Sequence, residues 1–153
     1  LDDSFRQPLR VILDSHLRTP ADAKLLDLPG ETLLVSGAVD AGSEAHLVRS
    51  GVRVVTLPLQ GGQLDLRAVL QYLGSLQINE VHLESGATLC GALLQAGLID
   101  ELVIYMAPHL MGDAARGLFA LPGLAQMAQR IKLSITDIRA VGDDWRITAR
   151  IDN

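Results

Sequence analysis

Along the first two thirds of the chain the hydrophobic residues come in short, β-branched runs that are apolar at nearly every position, the pattern of strands covered on both faces. They predict strands over 10–14 (RVILD), 32–36 (TLLVS), 52–57 (VRVVTL), 80–84 (EVHLE) and 101–107 (ELVIYMA). Gly, Pro and Asp separate these runs, and between them the apolar spacing lengthens to that of a helix. Leu66, Val69, Leu70 and Leu73 recur at helical spacing, so 65–76 is predicted as a helix with one face on a sheet and Asp65 as its cap or first-turn acid. Residues 88–96 place Leu89, Ala92, Leu93 and Ala96 on one face and stop at Gly97, which suits a left-handed helix end. A shorter helix is expected over 43–50, closed by Gly51. The last third changes character. IKLSITDI (131–138) and WRITARI (145–151) alternate apolar and polar residues around the turn residues Val141-Gly142-Asp143-Asp144, which predicts an antiparallel hairpin with one face toward the core.

Strands alternating with helices predict an α/β protein, with a mixed sheet that is parallel first and finished by an antiparallel pair. Its 153 residues, 48% of them hydrophobic, suffice for one domain with its own core, and no linker or repeat divides the chain. The single cysteine, Cys90, excludes a disulfide scaffold and a Cys/His zinc module, and fits a reducing cytoplasm. A net charge of -5 offers no basic patch of the kind that dominates nucleic-acid affinity, so no nucleic-acid partner is expected. No stretch approaches the ~20 apolar residues of a membrane span, and no membrane partner is expected. The chain opens on Leu1 and reaches a strand almost at once, which reads as a piece cut from a longer polypeptide.

The segment 81–102, VHLESGATLCGALLQAGLIDEL, joins a predicted strand to a helix through small residues. Such a junction aims unpaired backbone N–H groups and the positive helix end outward, and Gly86, with small Ser85 and Ala87, lets a ligand approach the main chain. Phosphate or pyrophosphate is the ligand this favours; the alternative is a plain strand-to-helix turn, since neither a GxGxxG nor a Walker A pattern is present. Glu84, at the carboxyl end of the predicted strand, is placed either to accept hydrogen bonds from a sugar hydroxyl or to stand as a solvated strand end.

RVILDS followed by Arg18-Thr19-Pro20, the ESGATLCGALLQAGLIDEL block, the strand ending APHLMG, the ARGLF element and the terminal hairpin together resemble the reductase domain of the bifunctional riboflavin-biosynthesis deaminase/reductase. The resemblance runs from about Gln7 to the C-terminus. It implies a dihydrofolate-reductase-like three-layer sandwich and one partial reductase domain over 1–153. It also implies a cytoplasmic homo-oligomer, with NADPH reducing 5-amino-6-(5-phosphoribosylamino)uracil to its ribityl counterpart. By the same resemblance Gly86, Ala87, Thr88, Leu89, Cys90, Gly91 and Ala92 would follow the cofactor pyrophosphate. Ser15 would meet its adenosine side, and Glu84 would face the phosphoribosyl-pyrimidine substrate. Ser85 and Ala87 depart from the glycine-rich turn usual in that family. The strand, helix and strand with which its reductase domain begins, and the zinc deaminase domain, have no counterpart in this chain. Two further readings compete: a nucleotide-binding or dimerisation fragment without turnover, and an unrelated doubly wound enzyme that uses the Glu84 turn for a phosphorylated metabolite.

Other chemistry-bearing residues read more plainly. His16, His46, His82 and His109 form no helical pair, and only His16, beside Ser15, is retained as a site candidate. Cys90, in the first turn of its helix, has no base nearby in sequence. Arg116 reads as a surface cation and Trp145 and Phe119 as core or interface anchors. No residue is singled out as a proton donor or metal ligand.

Overall fold

The three earliest apolar runs lie side by side. β1 (Arg10–Leu13), β2 (Thr32–Ser36) and β3 (Arg53–Thr56) form a parallel sheet in the order β1-β2-β3. The computed structural model describes residues 7–20, 22–37, 47 and 51–152, in two compact units, Leu1–Glu80 and Val81–Asn153. β2 is central in the first unit and buried along its whole length, which is why TLLVS carries no polar alternation. Its alternate side chains feed two cores. Leu33 and Val35 pack with Leu64, Val69 and Leu73. Leu34, on the other face, packs with Leu47 and Val52. Each such Leu or Val contributes roughly 1.5–3 kcal/mol relative to exposure.

The first core is closed by α1 (Leu66–Ser75), which turns Val69 and Leu73 inward as its spacing predicts. Asp65 caps it: one carboxylate oxygen accepts from the Arg67 and Ala68 amides at 2.9 and 3.2 Å. At the other end the amides of Gln77 and Ile78 donate to Gly74 and Leu73 O, closing a Schellman motif. Gln77 takes the left-handed position there, with φ 62°. Ahead of α1, β4 (Leu59–Gln60) and β5 (Gln63–Leu64) form a small hairpin. Gly61 and Gly62, at φ 61° and 81°, make its turn. The Gly-Gly dipeptide flanked by Leu-Gln and Gln-Leu signals that hairpin, although the longer apolar runs overshadow it.

The second unit holds α2 (Ala87–Gln95) and an antiparallel sheet of β6 (Glu101–Met106), β7 (Leu133–Val141) and β8 (Asp144–Ile151), ordered β6-β8-β7. The β7–β8 hairpin turns at Gly142, φ 62°, as expected, and a register shift between Ile135 and Asp137 marks a bulge. Gly97, at φ 64°, ends α2 in a second Schellman motif through Gly97 N–H to Leu94 O and Leu98 N–H to Leu93 O. Parallel and antiparallel sheets with helices place the protein in the expected α/β class.

Three expectations are corrected. Residues 80–84 are not a strand: no sheet includes them, and Val81 and Leu83 lie exposed. Alternating side chains define a strand only where a neighbour supplies the hydrogen-bond ladder, and among the described residues none does. β6, expected to be covered on both faces, leaves Val103 and Tyr105 exposed, and its ladder partner is the antiparallel β8. The buried residues of α2 are Gly91, Leu93 and Leu94, so its face is rotated from the predicted one and shares only Leu93 with it. The short helix expected over 43–50 lies outside the described residues apart from Leu47, which is helical and buried.

Candidate functional site

Two places carry the predicted site residues, one in each unit. The first is the carboxyl end of the parallel sheet, where open α/β sheets bind ligands. β1 ends in a turn through Asp14, Ser15, His16, Leu17, Arg18 and Thr19. Asp14 is buried and organises it. One of its oxygens accepts from the Thr19 amide at 2.6 Å and the Thr19 hydroxyl at 2.7 Å, and the other accepts from the His16 amide at 3.3 Å. Burial alone would raise the Asp14 carboxyl. The Thr19 hydroxyl and the Thr19, His16 and Arg18 amides outweigh it and hold the group below the usual aspartate range. Leu17 is left-handed at φ 53°, a conformation costing a branched L residue roughly 1–2 kcal/mol. Its N–H donates to Asp14 O at 3.2 Å, and its side chain packs against the Leu34, Leu47 and Val52 core, which holds it there.

Ser15 is half-buried within this turn. Its hydroxyl oxygen accepts from the Leu64 amide at 3.2 Å and its carbonyl from the Gly37 amide at 3.2 Å. The hydroxyl retains its proton for a ligand acceptor. His16 and Arg18 point to solvent, the Arg18 side chain 80% exposed with its Nε 4.0 Å from the Asp14 carboxylate. Asp14, which orders all of these groups, was missed by sequence reasoning. The available signal was an acid closing an apolar strand just before a turn that ends Thr-Pro.

The second place is the start of α2. Gly86 is its N-cap, with φ -75° and ψ 169°, and no side chain caps the helix. The first-turn amides are therefore left to solvent or ligand, and no acidic residue stands in that turn to compete with an anion. A Cβ built on Gly86 would meet nothing within 4 Å, so the space before the main chain is open. Thr88 is the second residue of the helix and is exposed. These features fit a pyrophosphate, which the backbone amides of Gly86, Ala87 and Thr88 and the Thr88 hydroxyl would hold.

The rest of the block turns elsewhere. Gly91 is buried, and a Cβ there would overlap the Ala120 carbonyl oxygen and stand 2.8 Å from its carbon. The Ala120 amide donates to Ala87 O at 2.9 Å, so this loop is pinned across the first turns of α2. Leu89, Cys90 and Ala92 are half-buried. The Cys90 sulfur sits 3.2 Å from the Ser85 hydroxyl and 3.4 Å from the Ser85 carbonyl, tying the turn to the helix. Glu84 is exposed and pairs with His82 Nε2 at 3.4 Å. Arg116 is exposed on the 112–123 connection.

Residues 2–147 match the model of the RibD C-terminal domain. The riboflavin biosynthesis protein RibD of Escherichia coli is 41% identical over 141 residues, covering 92% of this chain and 37% of that protein. A 5-amino-6-(5-phosphoribosylamino)uracil reductase of Buchnera aphidicola is 29% identical over 143 residues, or 94% of this chain and 67% of that protein. Among solved structures, Acinetobacter baumannii RibD superimposes with a TM-score of 0.80 at 34% identity, over 94% of this chain and 37% of that one. The chain thus spans little more than a third of the RibD proteins it matches. The fold is the dihydrofolate-reductase-like one that the resemblance implies. The chain belongs to the RibD C-terminal domain family.

Proposed function

We propose that the chain is one partial reductase domain, 1–153, of a cytoplasmic, NADPH-dependent enzyme that reduces 5-amino-6-(5-phosphoribosylamino)uracil to its ribitylamino form. The observation that carries this reading is the uncapped, acid-free start of α2 with open space before Gly86, in a chain similar over 94% of its length to a reductase named for that substrate. Bound NADPH would supply a hydride to the anomeric carbon of the ring-opened sugar. The chain's own residues bind and orient. Gly86, Ala87 and Thr88 hold the pyrophosphate, and Leu89, Cys90, Gly91 and Ala92 continue the helix that carries the dipole. Ser15 meets the adenosine side, and Glu84 accepts hydrogen bonds from the phosphoribosyl-pyrimidine. Self-association is part of the reading, because Val103, Tyr105, Ile135 and Ile138 leave apolar surface exposed on β6 and β7.

The test is an equilibrium titration of the folded chain with NADPH, with NADH run alongside and Gly86→Val as the control. Saturable binding that favours NADPH, weakened at least tenfold by the valine, supports the reading; a folded chain that binds no nucleotide sinks it. One observation favours a second reading, a nucleotide-binding or dimerisation module without turnover: among the described residues no strand pairs with the segment that carries Glu84. Tight NADPH binding without substrate reduction would select it.

A further inference from the structure

We infer that the outer edge of β7 is the surface through which two copies of this chain join, antiparallel and centred on Ile138, with Asp137 of each copy opposite the partner's Arg139. This joint rests on the self-association proposed above and gives it a surface and a register.

β7 ends the sheet order β6-β8-β7, and among the described residues no strand pairs with its outer edge. It is exposed along its whole length, so the backbone groups that point away from β8 stand open to an incoming strand. The bulge between Ile135 and Asp137 interrupts that edge and leaves 137–141 as its regular stretch. Within that stretch the charges decide. Asp137 and Arg139 lie opposite Thr148 and Arg146 of β8 and so share one face, while Ile138, opposite Ile147, points to the other. Both ion contacts of Asp137, from Arg146 Nη2 at 3.0 Å and Arg139 Nε at 3.5 Å, fall on Oδ2. The Asp137 and Arg139 side chains remain 45% and 56% exposed, so each keeps capacity for a group on another chain.

Antiparallel strands set residues of one face directly opposite each other, so a two-fold pairing of β7 with itself centres on a single residue. Centred on Asp137 it opposes two carboxylates, and centred on Arg139 two guanidinium groups; like charges directly opposite are destabilising. Centred on Ile138 it opposes each Asp137 to the partner's Arg139, twice over. The two Ile138 side chains, each 53% exposed, then meet on the other face. One register is favoured and its neighbours on both sides are penalised. An in-register parallel pairing would again set like charge beside like. Self-complementarity about one residue is what a two-fold interface requires, and it singles out a second copy over an unrelated strand. The joint makes one continuous sheet of the two antiparallel sheets and removes both open edges.

The test measures self-association of the whole chain by sedimentation equilibrium, with Asp137→Arg, Arg139→Asp and the double exchange Asp137→Arg/Arg139→Asp beside wild type. Wild type should dimerise. Each single reversal should weaken the dimer roughly tenfold or more, because it opposes like charges at both sides of the centre, and the double exchange should return it to within about threefold. An equimolar mixture of the two single variants should dimerise as well, since every opposed pair is then of unlike sign. Repair on mixing is a result that damage to the hairpin within one copy does not give. Circular dichroism checks that each variant folds. If a reversal does not fold, Ile138→Cys and Ile135→Cys in a Cys90→Ser background decide. Oxidation should link two copies through position 138, where opposed Cβ atoms stand about 5 Å apart, and not through position 135; equal linkage at both, or none at 138, overturns the register. Monomeric wild type refutes the self-association reading and the proposal together. Wild type that dimerises but is indifferent to both reversals, or singles that mixing does not repair, refutes only the β7 joint.

Discussion

Two helical glycines give opposite predictions for the same chemical change. Gly74 lies in the last turn of α1 with nothing within 4 Å of an added Cβ. Alanine there should stabilise by roughly 0.5–1 kcal/mol through helix propensity. Gly91, in α2, has the same propensity to gain, yet its added methyl would run into the Ala120 backbone, 2.8 Å from the carbonyl carbon and 3.0 Å from the nitrogen. No rotamer relieves a clash with main chain, so the 117–123 loop must lift. The Ala120 amide then loses its 2.9 Å bond to Ala87 O, worth about 1 kcal/mol. That loss and the propensity gain nearly cancel, leaving the overpacking penalty of about 1–3 kcal/mol. Urea unfolding, with a slope of about 1–3 kcal/mol per molar for a chain of this size, should show the Gly91→Ala midpoint falling by about 1 M while that of Gly74→Ala rises. A Gly91→Ala midpoint at or above wild type would refute the packing argument. So would two shifts of the same sign. Because the lifted loop crosses the turn proposed to hold the pyrophosphate, Gly91→Ala should also weaken NADPH, and Gly74→Ala should not.

The remaining predictions follow from single contacts. Asp65→Ala removes the carboxylate that caps α1 and should cost about 1 kcal/mol in urea unfolding, with Asp65→Asn close to wild type. Gln77→Gly relieves the left-handed glutamine of the first Schellman motif and should stabilise by up to about 1 kcal/mol; no gain would mean that the position carries no strain. The folded Asp14 carboxyl titrates below the ordinary value of 3.8, so the stability it contributes is complete above that value and is lost as pH falls through it toward the folded value. The difference in urea midpoint between wild type and Asp14→Asn should be wide at pH 7 and narrow steadily as pH drops below about 4; a gap that stays constant contradicts the sign. Glu84→Gln in the full-length protein should leave NADPH affinity within a few-fold and damage substrate binding or turnover, and unchanged kinetics would remove Glu84 from the site.

Much of the fold was legible because its signals are local. TLLVS carries no polar residue between its ends and becomes the buried central strand with the predicted bounds. Leu66, Val69, Leu70 and Leu73 predict α1 to within a residue, because Asp65 supplies both a charge and a cap at one end. Gly97 and Gly142 mark their turns through the one conformation glycine takes cheaply. Strand direction was less legible: ELVIYM reads like a parallel strand, and its antiparallel pairing with β8 depends on residues 39 to 49 positions away. At the site, the backbone character of 86–88 could be read from small residues, whereas the burial of Gly91 could not, since a glycine that admits a ligand and one that admits a neighbouring carbonyl look alike in sequence. Asp14 went unread for a related reason. A lone acid at a strand end resembles surface polarity until three donors are seen to converge on it.

The segment 80–84 shows where local pattern stops determining structure. Val81 and Leu83 alternate with His82 and Glu84 as a half-buried strand requires, yet among the described residues no ladder includes them, and the two apolar side chains stand exposed. β6, in the same unit, carries a ladder on one edge among the described residues. The alternation supplies side chains for two faces but not the backbone partners that turn an extended run into a strand, and those must come from a neighbouring edge. The consequence reaches the chemistry. Extended, His82 and Glu84 project from one face and meet at 3.4 Å whether or not the run is paired. Without a ladder, however, the exposed carboxylate is held among the described residues by the exposed His82 ring alone, a contact that is an ion pair only when the imidazole carries a proton. A group meant to grip a sugar hydroxyl in one orientation needs a stiffer mount than that. The start of α2 draws its order from within, through the Gly86–Cys90 helical bond and the Ala120 clamp. Cofactor binding therefore rests on the more self-sufficient part of the proposed site, and substrate binding on the part whose order depends on a neighbouring strand.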